Sequence, residues 1–281
     1  MKNLTLAHLT LAGTPEQNID AAAAAGFGAV GLRICARRPA DAFAPQILGR
    51  PEAARALRRR AADQGLRISN LSAYQFYPEL GWNDLAPVVA AAHEMSAPVL
   101  VVNDFQPDEG AFLELFTRYC HEAAQAGLRV ALEFLPYSAA PTLEAALRLL
   151  RHAGASNAGL LLDALHLERS GATPSDLTAL QPSQVVFAQL CDARRLAIRL
   201  SNEELMQEAR TARLPAGSGD LPLFDFLDAL PAGTEIEYEV ARADMAAASP
   251  VAKARAAHED ARRFMDAYAG HRASLSVGAR Q

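Results

Sequence analysis

The chain has 281 residues, of which 51% are hydrophobic, and it carries a net charge of -5 at pH 7. This length can bury a large core, either in one α/β domain or in two smaller ones. The acidic balance argues against a nucleic-acid partner, because phosphate contacts need a concentrated basic surface, so a small-molecule substrate is expected and a homodimer is left open.

The sequence lacks the features of an exported or membrane protein. Lys2 is followed by a short apolar stretch that Thr and His interrupt, and no apolar run approaches the roughly 20 residues of a membrane span. The three cysteines, Cys35, Cys120 and Cys191, lie far apart and form no Cys-x-x-Cys pair, which argues against a disulfide scaffold or a zinc knuckle. We expect a cytoplasmic protein with no membrane attachment.

Eight strand-like runs alternate with helical segments along the chain. Strands are predicted at 4–8, 29–34, 67–73, 98–103, 129–134, 158–163, 184–191 and 235–240. Helices are predicted at 15–25, 51–64, 83–95, 108–126, 142–153, 174–180, 222–230 and 250–268. Thr14 before Pro15 and Gly26 after the first helix are typical end signals. The Arg-rich segment 192–220 is interpreted as a long connection.

This alternation predicts a (β/α)₈ TIM barrel, an α/β fold, in a single domain at 1–269. The tail at 270–281 has no periodic pattern, and disorder is one expectation for it. An open doubly wound sheet is the alternative, but its first strand should lead into a Gly-rich phosphate turn, and residues 8–14 offer one glycine.

Polar residues stand at the predicted carboxyl ends of the strands, where a barrel of this type builds its active site. In chain order the ends carry His8, Arg33, Tyr74, Asn103, Glu133, Asp163, Gln189 and Glu239. The last four are oxygen donors from consecutive strands, which lie about 4.8 Å apart and can converge on one ion. Three close carboxylates repel unless a cation or protons neutralise them. Mg²⁺ or Mn²⁺ suits an all-oxygen set, Co²⁺ is compatible and Zn²⁺ fits less well.

Each of these residues also has an ordinary structural interpretation. A single acidic residue after a strand is more often a helix cap or a loop residue, and Gln189 alone could be a satisfied polar group. His166, three residues after Asp163, could serve in acid–base catalysis or in substrate contact, or could be a packed residue. The Gly-rich turn at Gly217 and Gly219 could present N–H groups to an anion, or could be a plain turn.

Arg33 and His8 are candidate substrate-binding residues. Arg33 could bind a carboxylate or a phosphate with two parallel hydrogen bonds, although Arg37 and Arg38 beside it are also consistent with a surface charge cluster. His8 stands at the end of the first predicted strand and is the weaker candidate.

Over nearly its whole length the chain resembles the xylose isomerase-like TIM barrel superfamily, the sugar phosphate isomerase/epimerase group. The resemblance rests on Ala-Leu-Glu-Phe at Glu133, Gly-Leu-Leu-Leu-Asp-Ala-Leu-His ending at His166, Ala-Gln-Leu-Cys-Asp-Ala from Ala188, Arg-Leu-Pro-Ala-Gly-Ser-Gly-Asp from Arg213, and Glu-Ile-Glu-Tyr-Glu-Val ending at Val240. It implies one divalent ion, Mn²⁺ or Mg²⁺ and alternatively Co²⁺. The implied ligands are Glu133, Asp163, Gln189 and Glu239, with His166 and Arg213 facing the substrate.

The resemblance implies an isomerase or epimerase that acts on a sugar or hydroxy-ketone by proton abstraction next to a carbonyl and a metal-bound enediolate, with Glu133 and Glu239 as base and acid. The alternative is a dehydratase of the 3-dehydroshikimate or inosose type, with His166 as the acid. Gln189 resembles the dehydratases and the hydroxypyruvate isomerases. Leu135 stands where the Glu-x-His of many dehydratases has its histidine. The isomerase/epimerase hypothesis is therefore ranked first.

Two further classes are weighed. A DNA-repair endonuclease of this superfamily would need more His ligands and a basic face, and the seven scattered His and the acidic balance argue against it. A barrel that has lost catalysis and serves as a binding subunit is less compatible with intact carboxylates at three strand ends.

Overall fold

Eight parallel strands form a closed barrel in the computed structural model, which describes residues 4–278 and side chains as far as residue 275. The strands follow one another around the barrel in chain order, and β8 pairs with β1 to close it. They are β1 Leu4–Leu6, β2 Ala29–Arg33, β3 Arg67–Ser72, β4 Val99–Asn103, β5 Arg129–Glu133, β6 Ala158–Asp163, β7 Val185–Leu190 and β8 Glu235–Tyr238. Because β1 and β8 pair, the sheet is closed, which confirms the predicted TIM barrel and excludes the alternative of an open doubly wound sheet.

Helices follow the strands along the chain. They are α1 His8–Leu11, α2 Pro15–Ala25, α3 Pro51–Asp63, α4 Trp82–Met95, α5 Glu109–Gln125, α6 Leu143–Ala153, α7 Ala164–Arg169, α8 Pro174–Leu177, α9 Asn202–Thr211, α10 Leu223–Ala229 and α11 Pro250–Gly278. Short 3₁₀ turns precede β7 and α11, at Pro182–Gln184 and Ala243–Met245. The long helix α11 packs against α2, so the end of the chain contacts its beginning.

Local end signals explain why several helices begin and end where the sequence predicts. The Thr14 side chain accepts the Gln17 N–H, and the Gln17 side chain accepts the Thr14 N–H, which forms a capping box at the start of α2. Gly26 ends this helix with φ 90°, a left-handed conformation that favours glycine. Thr142 and Gly154 bound α6 in the same way.

Apolar side chains fill the barrel interior below its carboxyl end. One cluster consists of Val101, Ala131, Leu161 and Phe187, from the four consecutive strands β4 to β7. Because alternate residues of a strand point to the same face, the residues two positions further along also face the interior. These residues are Asn103, Glu133, Asp163 and Gln189. The apolar cluster is therefore the floor beneath a polar layer of strand ends, and the main core lies between the strands and the helices.

Three predicted boundaries differ from the structure near the site. The first strand ends at Leu6, and His8 begins the short helix α1 rather than ending a strand. The last strand ends at Tyr238, so Glu239 lies just beyond it. The segment 192–220, interpreted as a connection, contains α9, which Ser201 caps by accepting the Glu204 N–H.

The last helix also extends further than predicted. It runs through residues 270–278, which were expected to lack regular structure, and residues 279–281 lie outside the described part of the chain. Tertiary contacts that the local pattern does not reveal support this extension. The His271 ring stacks on Phe224 with centroids 4.9 Å apart, and Arg272 Nη1 lies 2.7 Å from Asp228 Oδ1.

Two expectations from the sequence concern membrane spans and disulfides. Within residues 4–278, every helix is too short or too polar to cross a bilayer. Cys35, Cys120 and Cys191 are all buried free thiols, as their spacing predicted.

Candidate active site

Five polar residues at the carboxyl ends of neighbouring strands form a buried layer above the apolar floor. Asn103 pairs in register with Glu133, and Asp163 with Gln189, while Glu239 follows the end of β8. All five are less than 10% exposed and, except for Asp163, line one polar cavity. The barrel therefore brings together the residues predicted from separate strand ends.

Glu133 is held by an amide and lies near an imidazole. Asn103 Nδ2 donates to Glu133 Oε2 at 2.6 Å, and His166 Nε2 lies 3.8 Å from Glu133 Oε1. Burial raises the pKa of Glu133 to about 8, and the negative charges of Glu239 and Asp163 add to the effect. Because the protonated form is favoured near neutral pH, Glu133 can exchange a proton there.

Arg213 is the cation of this layer and is 2% exposed. Its Nη1 lies 2.5 Å from Asp163 Oδ2, and its Nη2 lies 2.9 Å from Glu239 Oε2. Its Nε donates to the Ala209 carbonyl oxygen at 2.8 Å, which anchors the guanidinium to the end of α9. The predicted substrate-facing residue thus spans two of the predicted ligand carboxylates.

The charge of Arg213 separates the pKa values of its two partners. Burial alone would raise the pKa of Asp163, but the charge of Arg213 and a smaller contribution from His166 outweigh burial and lower it. Burial raises the pKa of Glu239 to about 7 even though Arg213 opposes the shift. Asp163 is therefore the ionised partner, and Glu239 is able to hold a proton.

His166 is positioned by the Asp-x-x-His spacing. Asp163 caps α7 by accepting the His166 backbone N–H at 3.0 Å, so the imidazole lies in the site one helical turn later. Its Nε2 lies 3.5 Å from Arg213 Nη2. Burial lowers the pKa of His166 to about 4, so the ring is neutral at pH 7. The Tyr137 ring meets it edge-on at 5.9 Å.

The site could hold a metal ion. Glu133, Asp163 and His166 each offer one ligand atom, and these atoms all lie within 4.8 Å of one another. His166 was not in the predicted ligand set, whereas Gln189 and Glu239 were and line the same cavity. The Gln189 Oε1 atom is buried and has no hydrogen-bond partner in the described part of the chain. Because buried polar atoms normally have a partner, this oxygen is suited to binding a cation. The donor set therefore fits a divalent cation.

Glu237 was missed in the sequence, although it fixes the direction of the Gln189 amide. Gln189 Nε2 donates to Glu237 Oε2 at 2.7 Å, which directs Gln189 Oε1 away from Glu237. Asn70 Nδ2 donates to Glu237 Oε1, also at 2.7 Å, and a Cβ at Gly31 would overlap that oxygen. The period-two run Glu235, Glu237, Glu239 places three carboxylates on one strand face and could have indicated this role.

The Gly-rich turn after Arg213 binds a carboxylate of the chain itself. Asp192 Oδ2 accepts the N–H groups of Gly217 and Gly219 at 3.0 and 2.9 Å, and its Oδ1 accepts the Leu221 N–H at 3.1 Å. A Cβ at Gly219 would collide with Asp192. The hypothesis that this turn presents its N–H groups to a bound anion is therefore wrong, because Asp192 already occupies them.

His8 and Arg33 lie together at the mouth of the cavity. Arg33 Nε donates to His8 Nε2 at 3.3 Å, and Arg33 Nη1 donates to the Ala73 carbonyl oxygen at 2.8 Å. Both residues line the cavity, and so do Arg37 and Arg210, which the sequence analysis did not propose as site residues. The structure thus places both predicted substrate-binding residues at the site, within a larger group of arginines.

Residues 19–268 match the family model described as the xylose isomerase-like TIM barrel. The chain belongs to this family, as the resemblance of its motifs indicated.

Three similar proteins illustrate the range of the family. A 3-dehydroshikimate dehydratase from Pseudomonas aeruginosa is 27% identical in an alignment 248 residues long, which covers 79% of this chain and 35% of the relative. The structure of the IolI protein with a bound zinc atom superposes with a TM-score of 0.76 at 16% identity and covers 94% of this chain and 98% of that one. The structure of a xylose isomerase-like TIM barrel/4-hydroxyphenylpyruvate dioxygenase fusion protein superposes with a TM-score of 0.73 at 21% identity. The superposition covers 92% of this chain and 42% of that one.

These comparisons differ in what they support. The two solved structures share the fold with this chain. The chain spans about a third of the length of the curated dehydratases that it matches.

Asp192→Asn tests how the Arg213 turn is held. Both Asp192 oxygens accept backbone N–H groups, whereas an Asn side chain would keep one oxygen and turn an N–H₂ donor toward the other N–H groups. We therefore expect the variant to lose about 2–3 kcal/mol in the free energy of unfolding, measured with urea. Asp220→Asn is the matched control, because this exposed carboxylate on the same turn should lose less than about 1 kcal/mol. Equal losses in the two variants would contradict the role of Asp192.

Proposed function

We propose that this chain is a divalent-metal-dependent enzyme that removes a proton next to the carbonyl group of a small polyhydroxy substrate. The observation that carries the proposal is the buried convergence of Glu133, Asp163 and His166 at the carboxyl end of the barrel, where the Gln189 oxygen and Glu239 line the same cavity. Buried carboxylates with raised pKa values are typical of sites that transfer protons.

The ligands in this proposal are Glu133, Asp163, Gln189 and Glu239. Their oxygen atoms suit Mn²⁺ or Mg²⁺, and Co²⁺ is also compatible. The unpartnered Oε1 of Gln189 supports its place in the set, and His166 is assigned to the substrate side. A bound ion would supply Lewis acidity that stabilises negative charge on the substrate oxygen.

Glu133 and Glu239 are the base and the acid of the proposed reaction. Burial raises the pKa of both groups and a bound cation would lower it, so these opposing effects set how readily each group takes up and releases a proton near neutral pH. Asn103 fixes the Glu133 carboxylate by donating to Oε2, and Arg213 fixes the Glu239 carboxylate through Oε2. Each carboxyl group is thus oriented by a partner at its Oε2 atom.

Loss of water is the outcome that we place first. The curated relative named 3-dehydroshikimate dehydratase supports it, because its likeness extends over 79% of this chain. Gln189 is compatible with this outcome, since the resemblance associates Gln at this place with dehydratases and also with hydroxypyruvate isomerases. His166 would protonate the departing hydroxyl after taking up the proton that Glu133 removes from the substrate, because the ring itself is neutral at pH 7 and lies 3.8 Å from Glu133 Oε1. This order reverses the ranking that the sequence suggested.

Isomerisation or epimerisation is the second candidate, and one residue favours it. Leu135 is buried and lines the cavity at the position where many dehydratases are expected to carry a histidine. Without that histidine, water loss depends on His166. The same proton abstraction, followed by return of the proton to another carbon or face, gives an isomer or epimer.

Removal and return of metal test the ligand set. Saturating Mn²⁺ at about 100 times its Kd should contribute about 2.7 kcal/mol, which raises the Tm of the chelator-treated chain by about 5–10 °C. Glu133→Gln should reduce this shift to below about 2 °C. Glu109→Gln, at an exposed carboxylate on α5, should keep the full shift. A shift that Glu133→Gln leaves unchanged would contradict the ligand assignment.

Proton abstraction is tested by incubating the Mn²⁺-loaded chain in D₂O with 3-dehydroshikimate, inososes, hydroxypyruvate, ketoses and ketose phosphates. A new conjugated ultraviolet band would identify dehydration, and deuterium incorporation without water loss would identify isomerisation or epimerisation. Neither signal with any substrate would contradict the proposed function.

Glu239→Gln should lower the rate of either reaction by about 10²–10⁴-fold, because the group that carries the proton is lost. Glu235→Gln is the control, since Glu235 lies on the same strand face at the opposite end and pairs with Arg67. Turnover retained in Glu239→Gln would refute the acid–base assignment.

A further inference from the structure

Three arginines at the cavity mouth carry positive charge, which the more distant charge of Glu239 offsets only in part at Arg33 and Arg37. Arg33 ends β2, Arg37 lies in the loop after β2, and Arg210 is on α9. All three are partly buried and line the same cavity as Glu133 and Glu239. Arg33 and Arg37 are near neighbours in the chain, and the fold brings Arg210 to them.

The guanidinium groups of these arginines have no carboxylate partner. Among the described residues, no carboxylate oxygen lies within 4.0 Å of their nitrogen atoms, whereas Arg213 in the same cavity contacts two. Arg33 donates to uncharged groups, namely His8 Nε2 and the backbone oxygens of Cys35 and Ala73. Burying a cation without a counterion costs desolvation free energy. Three such cations at one cavity therefore indicate a site for an anionic ligand.

The three charges are close enough to affect one another. Burial lowers the pKa of Arg33 to about 10, and the charge of Arg37 adds to this effect. Burial lowers the pKa of Arg37 as well, with the charge of Arg210 as the next cause. An anion among them would relieve this repulsion and could accept two parallel hydrogen bonds from a guanidinium.

The positions of two of these arginines are fixed by the backbone. The Gln75 N–H donates to the Arg37 carbonyl oxygen at 2.9 Å, which ties the loop after β2 to the segment after β3. Arg210 lies in the last turn of α9 next to Ala209, whose carbonyl oxygen accepts a hydrogen bond from Arg213 Nε. The subsite is therefore built on the same supports as the catalytic layer.

We infer that Arg33, Arg37 and Arg210 form a subsite for an anionic group of the substrate, a carboxylate or a phosphate, beside the proposed proton-transfer residues. This inference rests on the proposed function, because it concerns the substrate of that reaction. It identifies the substrate class as a polyhydroxy carbonyl compound that carries a negatively charged group. It extends the predicted role of Arg33 to a three-arginine subsite.

Binding of unreactive probes tests the subsite without any need for turnover. Shikimate and its methyl ester differ in one carboxylate charge, and sorbitol 6-phosphate and sorbitol differ in one phosphate. With the full chain in Mn²⁺ and low salt, calorimetry should show one charged probe binding at least about 10-fold more tightly than its neutral counterpart. Its Kd should rise with added NaCl. The pair that shows the preference identifies the anion as carboxylate or phosphate.

Arg37→Gln and Arg210→Gln, made separately, should each raise the Kd of the preferred charged probe by about 10- to 100-fold and leave the neutral probe unchanged. Arg38→Gln is the matched control, because this neighbouring exposed arginine pairs with Glu79 and stacks on Tyr77. Unchanged Tm values would show that the variants fold. If one variant fails to fold, the Kd values of the other variant still test the inference.

The inference is overturned if neither charged probe binds more tightly than its neutral counterpart, or if the preference survives in both variants. Failure of the proposed function looks different. A charge preference that depends on the arginines, together with no turnover of any carbonyl substrate, would retain the subsite and reject the reaction. Turnover without a charge preference would retain the reaction and reject the subsite.

Discussion

The structure of the site depends on how a closed barrel accommodates several buried carboxylates in one layer. Glu133, Asp163 and Glu239 lie together above an apolar floor, where their charges repel. Arg213 contacts Asp163 and Glu239, but among the described residues no guanidinium lies within 4 Å of Glu133. Arg213 therefore balances only part of the negative charge within the layer, and the three arginines at the cavity mouth lie beyond ion-pair distance of it. A divalent ion or bound protons would balance the rest at close range, and the proposed chemistry uses both.

Much of the fold and part of the site could be predicted from the sequence. The eight strands have short apolar runs, and caps such as Thr14 and Gly26 bound the helix between the first two, so the barrel follows from local patterns. Glu133 and Asp163 end their strands and Gln189 is the second-last residue of its strand, and parallel strands in a closed barrel place all such ends at one rim. Their assembly in one buried layer is a consequence of topology.

The remaining features depend on contacts between residues distant in sequence. The Gly-rich turn is locally consistent with an anion site or with a plain turn, and only the folded chain shows that Asp192 accepts its N–H groups. The same is true of Glu237, whose hydrogen bonds join it to Gln189 on the neighbouring strand β7 and to Asn70 on β3. The arginines at the mouth resemble surface charges in sequence, because only the folded chain shows that they lack carboxylate partners.

The central claim is that the four strand-end oxygen donors hold one divalent ion. Anomalous diffraction from crystals grown with Mn²⁺, collected on both sides of the manganese edge, tests it most directly. The account predicts a single strong peak in the cavity, bound by Glu133, Asp163, Gln189 Oε1 and Glu239. No peak in the cavity, or a peak whose ligands exclude Gln189 and Glu239, would contradict it.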